Sequence, residues 1–324
     1  MPLTSPVSLS VAAAPLPAPA PRRARGDFSG LWVPLVTPFA ASGGAVDHAA
    51  LAALVRRLRD QGIAGFVACG STGEAAALEP GEQDAVLASV LDAADGLPVV
   101  MGLSGYHLGH ALERVRQWNA LPLAGLLVPA PHYIRPAQAG LLQWFHAIAD
   151  ASAVPLIVYD IPYRTGATLE LGTLRTLAAH ANIRAVKDCG GSTAKTQALI
   201  ADGALQVLAG EDAQIFATMA LGGAGAVAAS AHWQPARLVE CLRALEAGHL
   251  ARARALWRAL APLVEAFFAE PNPAPLKALL SARGWMENTL RAPMAPASVA
   301  LAQRLRDAAK AQAEALADLD TPRE

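Results

Sequence analysis

From Leu31 onward the chain alternates short apolar runs with longer stretches whose apolar positions recur at three- and four-residue spacing. The short runs fall at 32–36, 65–68, 99–102, 125–128, 156–159, 183–187, 206–209 and 226–229 and predict eight strands. Between them, the stretch 49–61 carries Leu51, Leu54, Val55 and Leu58 on one helical face. The stretches 82–94, 108–119, 139–150, 171–180, 193–200 and 213–221 follow the same pattern. Continuous apolar strands separated by amphipathic helices indicate an α/β fold with a parallel sheet, and eight such units close most simply into a (β/α)8 TIM barrel. An open doubly wound sheet would need a glycine fingerprint after its first strand, where this chain has Thr37-Pro38-Phe39. After Ser230 the strand pattern stops, and 237–246, 250–268, 275–283 and 296–316 predict a C-terminal helical appendage. The expected division is a disordered Pro- and Ala-rich tail over 1–27, the barrel over 28–230 and the helical region over 231–324.

Composition narrows the functional classes. The 324 residues are 53% hydrophobic, much of it alanine, which suits helices lying close against strands. Net charge is −1, and the only basic block is Arg22-Arg23-Ala24-Arg25, so nucleic acid is not an expected partner. The uncharged stretch 213–236 is broken by Gly222, Gly223, Gly225, His232, Gln234 and Pro235. It divides into a helix, a glycine turn and a strand, so no membrane span is expected. The N-terminal stretch lacks the basic start and apolar core of a secretory signal. Cys69, Cys189 and Cys241 have no metal-ligand spacing and are expected as free thiols in the reducing cytoplasm.

The candidate chemistry gathers at strand tips. Lys187 closes the run Ile183-Arg184-Ala185-Val186-Lys187, at the barrel end where catalytic groups sit. A buried amine there loses the hydration that favours its charged form and can attack a carbonyl carbon. Gly70-Ser71-Thr72-Gly73-Glu74 follows the second strand; its exposed N–H groups and hydroxyls, with the positive end of a following helix, would seat a small carboxylate. Tyr159 ends the fifth strand and could pass protons between an amine and a bound carbonyl. Arg164, five residues on, could grip a carboxylate with two parallel bonds. Tyr133 stands in a proline-fixed loop after the fourth strand, beside His132, which has no carboxylate partner in the sequence and reads as a loop or interface residue. Taken singly, each also fits a plain structural role: a strand-ending lysine, a capped turn, a core tyrosine, a surface arginine. Together they suit imine formation with a small 2-oxo acid, without a metal.

Over roughly 28–306 the chain resembles the dihydrodipicolinate synthase and N-acetylneuraminate lyase family. The resemblance rests on the order and spacing of Pro34-Leu35-Val36-Thr37-Pro38-Phe39, Gly70 to Glu74, Tyr159 to Gly166, Ala185-Val186-Lys187-Asp188, Gly210-Glu211-Asp212 and Glu270-Pro271-Asn272-Pro273. It implies a pyruvate imine on Lys187 with no other cofactor, and Tyr159 as proton donor and acceptor. Ser71 and Thr72 would hold the pyruvate carboxylate and join the proton relay, while Gly210 and Val227 would line the pyruvate pocket through their backbone. Tyr133 matches a tyrosine that reaches into a neighbouring subunit's site, and a homotetramer built as a dimer of dimers is the implied assembly. Arg164 favours the synthase branch, which condenses pyruvate with aspartate semialdehyde. The alternatives are a pyruvate-dependent aldolase or lyase acting on a sugar acid or another 2-oxo acid, and a non-catalytic barrel that binds a small acid. Ser71, Asp160 and Asp188-Cys189-Gly190-Gly191 depart from the synthase pattern. The segments 75–80 and 104–107 lack the polar residues of a feedback-lysine site, so inhibition by free lysine is not expected.

Overall fold

The computed structural model describes residues 26–41, 44–103 and 105–321. The tail expected over 1–27 falls outside them up to residue 25, as does Ser104 of the loop without a lysine site. Strands β1 (Gly30–Pro34), β2 (Gly65–Ala68), β3 (Val99–Gly102), β4 (Gly125–Pro129), β5 (Leu156–Asp160), β6 (Ile183–Asp188), β7 (Gln206–Ala209) and β8 (Gly225–Val227) pair in sequence order, all parallel, and β8 returns to β1 to close the barrel. Helices α1 (His48–Arg59), α2 (Pro80–Ala94), α3 (Leu108–Trp118), α4 (Gln138–Ala151), the single turn α5 (Pro162–Thr165), α6 (Leu171–Ala178), α7 (Thr193–Asp202) and α8 (Ile215–Ala220) alternate with the strands. Helices α9 (Pro235–Glu246), α10 (Leu250–Ala266), α11 (Ala274–Ala282) and α12 (Val299–Asp320) follow, with α10 packed on both α9 and α12. None of the described helices is long and apolar enough to cross a membrane.

The period of two along each strand separates two cores. Leu156 and Val158 of β5 and Val186 of β6 join the large layer between sheet and helices. Ile157 and Tyr159 of β5 and Ala185 of β6 point the other way, into a smaller cluster inside the barrel with Trp32, Val67, Val100, Leu127, Leu208 and Val227. Phe28 and Trp32 fill one end of that interior, their rings 5.8 Å apart, with the Trp32 indole N–H donating to the Phe28 carbonyl at 2.7 Å.

Strands β4, β5 and β6 each run one residue past the expected end, and the first and last strands differ by two. The first runs two residues earlier than 32–36, because the Val36 N–H leaves the ladder and donates to His232 Nε2 at 3.2 Å. The last stops at Val227 rather than 229, because the N–H groups of Ala229 and Ser230 donate to the Asp212 carboxylate, at 3.3 and 2.7 Å. The helix expected over 82–94 lies there, starting two residues early, but it does not follow Gly70–Glu74 directly and so does not lend that turn its positive end. Two 3-10 turns, Ser71–Gly73 and Ala75–Ala77, come first, joined through Glu74 in a left-handed conformation (φ 53°), and α2 begins only at Pro80.

Candidate active site

Tyr159 and Lys187 are register partners on neighbouring strands, so two residues on the inward face of each strand bring both side chains to the same end of the barrel. Lys187 Nζ lies 4.1 Å from the centre of the Tyr159 ring. Both are buried, at 5% and 7% exposure. Burial lowers the Lys187 pKa from its ordinary value, against the opposing pull of Cys189, Asp212 and Glu211. It likewise raises Tyr159 well above an ordinary phenol, against a hydrogen bond from Ser71. The pair therefore offers a readily deprotonated amine beside a phenol that keeps its proton.

A cavity of about 410 Å³ opens onto this pair. Pro34, Ser71, Thr72, Gly210, Val227, Tyr163, Arg164, Glu211 and Asn272 are among the residues that line it. Thr72 is buried, and its hydroxyl accepts from the Asn272 side chain at 2.9 Å, which ties the turn after β2 to the segment before α11. Gly210 leaves no room for a side chain: a Cβ there would stand 2.4 Å from Cys189 Sγ and 2.9 Å from Lys187 Cγ. The turn itself is fixed from behind. The Thr37 hydroxyl donates to the Gly73 carbonyl at 2.7 Å, and Lys277 donates to the buried Glu74 carboxylate. The Arg291 N–H donates to the same carboxylate at 3.1 Å.

Of the residues singled out from sequence, Lys187, Tyr159, Ser71, Thr72, Arg164, Gly210 and Val227 all line this one cavity. Tyr133 does not. It is 85% exposed, has a left-handed backbone (φ 72°), and borders a shallow surface depression with Arg135, Tyr163 and Arg164. His132 makes an edge-on ring contact with Tyr106 instead of joining a carboxylate.

Several site residues had no role assigned from sequence. The Tyr163 hydroxyl donates to Glu211 at 2.9 Å, and burial, against the pull of the Lys187 amine, pushes the Cys189 thiol well above its ordinary pKa. Asp212 is buried and accepts the two N–H groups that end β8. Asp160, on the outward face of β5, is buried in an ion pair with Lys195 that also accepts the Leu169 N–H at 3.4 Å. That pair braces the loop carrying Tyr163 and Arg164. The three cysteines are free and buried, and among the described residues no group of three or more His, Cys, Asp or Glu side chains could hold a metal ion.

A model of the dihydrodipicolinate synthetase family matches residues 27–312. The 4-hydroxy-tetrahydrodipicolinate synthase of Sorangium cellulosum is 39% identical over 284 residues, spanning 86% of this chain and 94% of that protein. The chloride-inhibited dihydrodipicolinate synthase of Acinetobacter baumannii, solved with pyruvate, is similar in structure with a TM-score of 0.85 at 32% identity, covering 88% of this chain and 99% of that one. The dihydrodipicolinate synthase of Aquifex aeolicus gives a TM-score of 0.84 at 30% identity, covering 87% and 97%.

Proposed function

Because the chain belongs to the dihydrodipicolinate synthetase family, we propose that it is a Schiff-base-forming lyase that condenses pyruvate with aspartate semialdehyde on Lys187. The observation that carries this reading is a buried lysine without a hydrogen bond or ion pair among the described residues, facing a cavity beside a phenol. The neutral amine adds to the ketone carbon of pyruvate, and water leaves to give an imine. Thr72 and Ser71 hold the pyruvate carboxylate against the backbone of Gly210 and Val227. Tyr159 gives its proton through Ser71 to the departing water, and the phenoxide left behind takes a methyl proton; the resulting enamine carbon attacks the aldehyde of the second substrate, whose oxygen takes that proton from Tyr159. Arg164 holds that substrate's carboxylate. Its amine then attacks the imine carbon, and Lys187 departs as the free amine with the ring closed. No cofactor beyond the imine is required.

Tyr133 completes the relay of a neighbouring copy in a homotetramer arranged as a dimer of dimers. Its exposed ring and left-handed backbone support this, since a bulky residue held in that conformation without burial needs an outside contact to justify it. The enzyme works in the cytoplasm. The test is the rate of product formation from pyruvate and aspartate semialdehyde, coupled to a reductase that consumes the cyclic product, alongside borohydride reduction with pyruvate and mass spectrometry. A pyruvate adduct on Lys187 together with coupled turnover is expected. A folded protein that gains no adduct overturns the reading.

A further inference from the structure

Thr72 carries a buried hydroxyl whose proton no described residue accepts. A hydroxyl offers one donor and two acceptor sites, and burial makes an unused donor costly. Other buried threonines commit their protons to the protein. The Thr37 hydroxyl donates to the Gly73 carbonyl at 2.7 Å, and the Thr165 hydroxyl donates to the Ile161 carbonyl at 3.1 Å. Thr72 is the reverse case. Its oxygen accepts from the Asn272 side-chain amide at 2.9 Å, and its side chain makes no other hydrogen bond among the described residues. Both residues line the cavity at Lys187. Asn272 stands just before α11, and five residues on Lys277 donates to Glu74, two residues after Thr72. The C-terminal helical region thus holds the turn after β2 at two points, one in the cavity wall and one fully buried.

We propose that Asn272 is a positioning residue for the first substrate. By occupying one lone pair of the Thr72 oxygen, it leaves the hydroxyl proton to the cavity, where the pyruvate carboxylate accepts it. The inference rests on the imine reading for Lys187 and adds to it a residue that acts through Thr72. An amide that donates to the oxygen restricts the rotation of the hydroxyl and polarises it, which strengthens the O–H as a donor. A charged acceptor gains about twice as much from such a donor as a neutral one. With the amide reversed, the Asn272 oxygen would take this proton and turn a lone pair toward the cavity, which repels a carboxylate. The two orientations therefore have opposite consequences when the Asn272 side chain is removed.

The experiment compares wild type, Asn272→Ala, Thr72→Val and the double variant by borohydride trapping on Lys187 over a range of pyruvate concentrations. Acetone, a ketone without a carboxylate, is the second probe, read as the trapping rate per unit concentration. Asn272→Ala is expected to raise the half-saturating pyruvate concentration about fivefold, and Thr72→Val about 20-fold. The double variant should stay within about twofold of Thr72→Val, because Asn272 has nothing left to act through. The acetone rate should change by less than about twofold in Asn272→Ala. A full further loss in the double variant would mean that Asn272 binds pyruvate itself, and it overturns the proposal. So does a lower or unchanged half-saturating concentration in Asn272→Ala, or an equal loss with acetone, which would mark a general loosening of the cavity. Absence of pyruvate trapping in wild type would instead overturn the imine reading itself.

Discussion

Lys187 and Lys277 are the same residue placed in similar surroundings with opposite consequences. Both are buried, at 5% and 0% exposure, and each amine lies over an aromatic ring, 4.1 Å from Tyr159 and 4.3 Å from Phe39. Burial pushes both below the ordinary lysine pKa. Only the partners differ. Lys277 touches the Glu74 carboxylate and donates to the Thr289 carbonyl at 2.9 Å, which occupies two of its three donors and holds it as a cation opposing that shift. Lys187 has no carboxylate in contact, and the acidic groups that favour its charge act from a distance. On the proposed reading, a buried amine serves as a nucleophile or a strut according to whether a carboxylate touches it, and the strut here anchors the very turn that carries Ser71 and Thr72.

Replacing each lysine should break the two regions in different ways. Lys187→Met should lower kcat/KM by roughly four orders of magnitude and abolish borohydride trapping. Its thermal midpoint should hold or rise, because methionine fills the space without a buried amine. Lys277→Met should lose about 3–5 kcal/mol in urea unfolding, since it strands the Glu74 carboxylate in the interior. Adding Glu74→Gln should recover much of that loss. The contrast fails if Lys187→Met unfolds the protein or if Lys277→Met is as stable as wild type.

The two lysines were not equally legible in the sequence. Lys187 closes a β-branched run, and strand periodicity alone carries it to the end of the barrel where Tyr159 also points. Strands 65–68, 99–102 and 206–209 lie where their apolar runs place them. Each is short and bounded, so local pattern suffices. The first and last strands end elsewhere because His232 and Asp212 capture their N–H groups, and those partners sit far along the chain or depend on the closed barrel. The roles of Lys277 and Asn272 were hidden for the same reason: each acts on the turn after β2 from about 200 residues away. Glu211 lay within a quoted motif, but its contact with Tyr163 spans 48 positions, and nothing in either residue's neighbours announces it.

Arg164 sharpens the contrast at the other end of the cavity. Arg164→Ala should raise KM for aspartate semialdehyde about 30-fold, the loss expected from charged hydrogen bonds to a carboxylate. Pyruvate trapping on Lys187 should continue at the wild-type rate. Equal damage to trapping and to semialdehyde binding would mean that the arginine shapes the lysine's environment as well.

The smallest expected effect tests how distant acids tune Lys187. Asp212 is buried and accepts two N–H groups, yet burial raises its pKa to about 6. With the folded value above the ordinary 3.8, the folded state holds this proton more tightly than the unfolded chain does. The resulting stabilisation is complete below the ordinary value and is lost as pH rises through the folded one. Urea unfolding of wild type between pH 4 and 6 should therefore carry this downward slope with rising pH, and Asp212→Asn should remove it. The same charge favours the protonated form of Lys187. Asp212→Asn should accordingly move the pH limb of borohydride trapping downward by a fraction of a unit. An upward movement would mean that Asp212 governs Lys187 through the β8 backbone it holds and not through its charge.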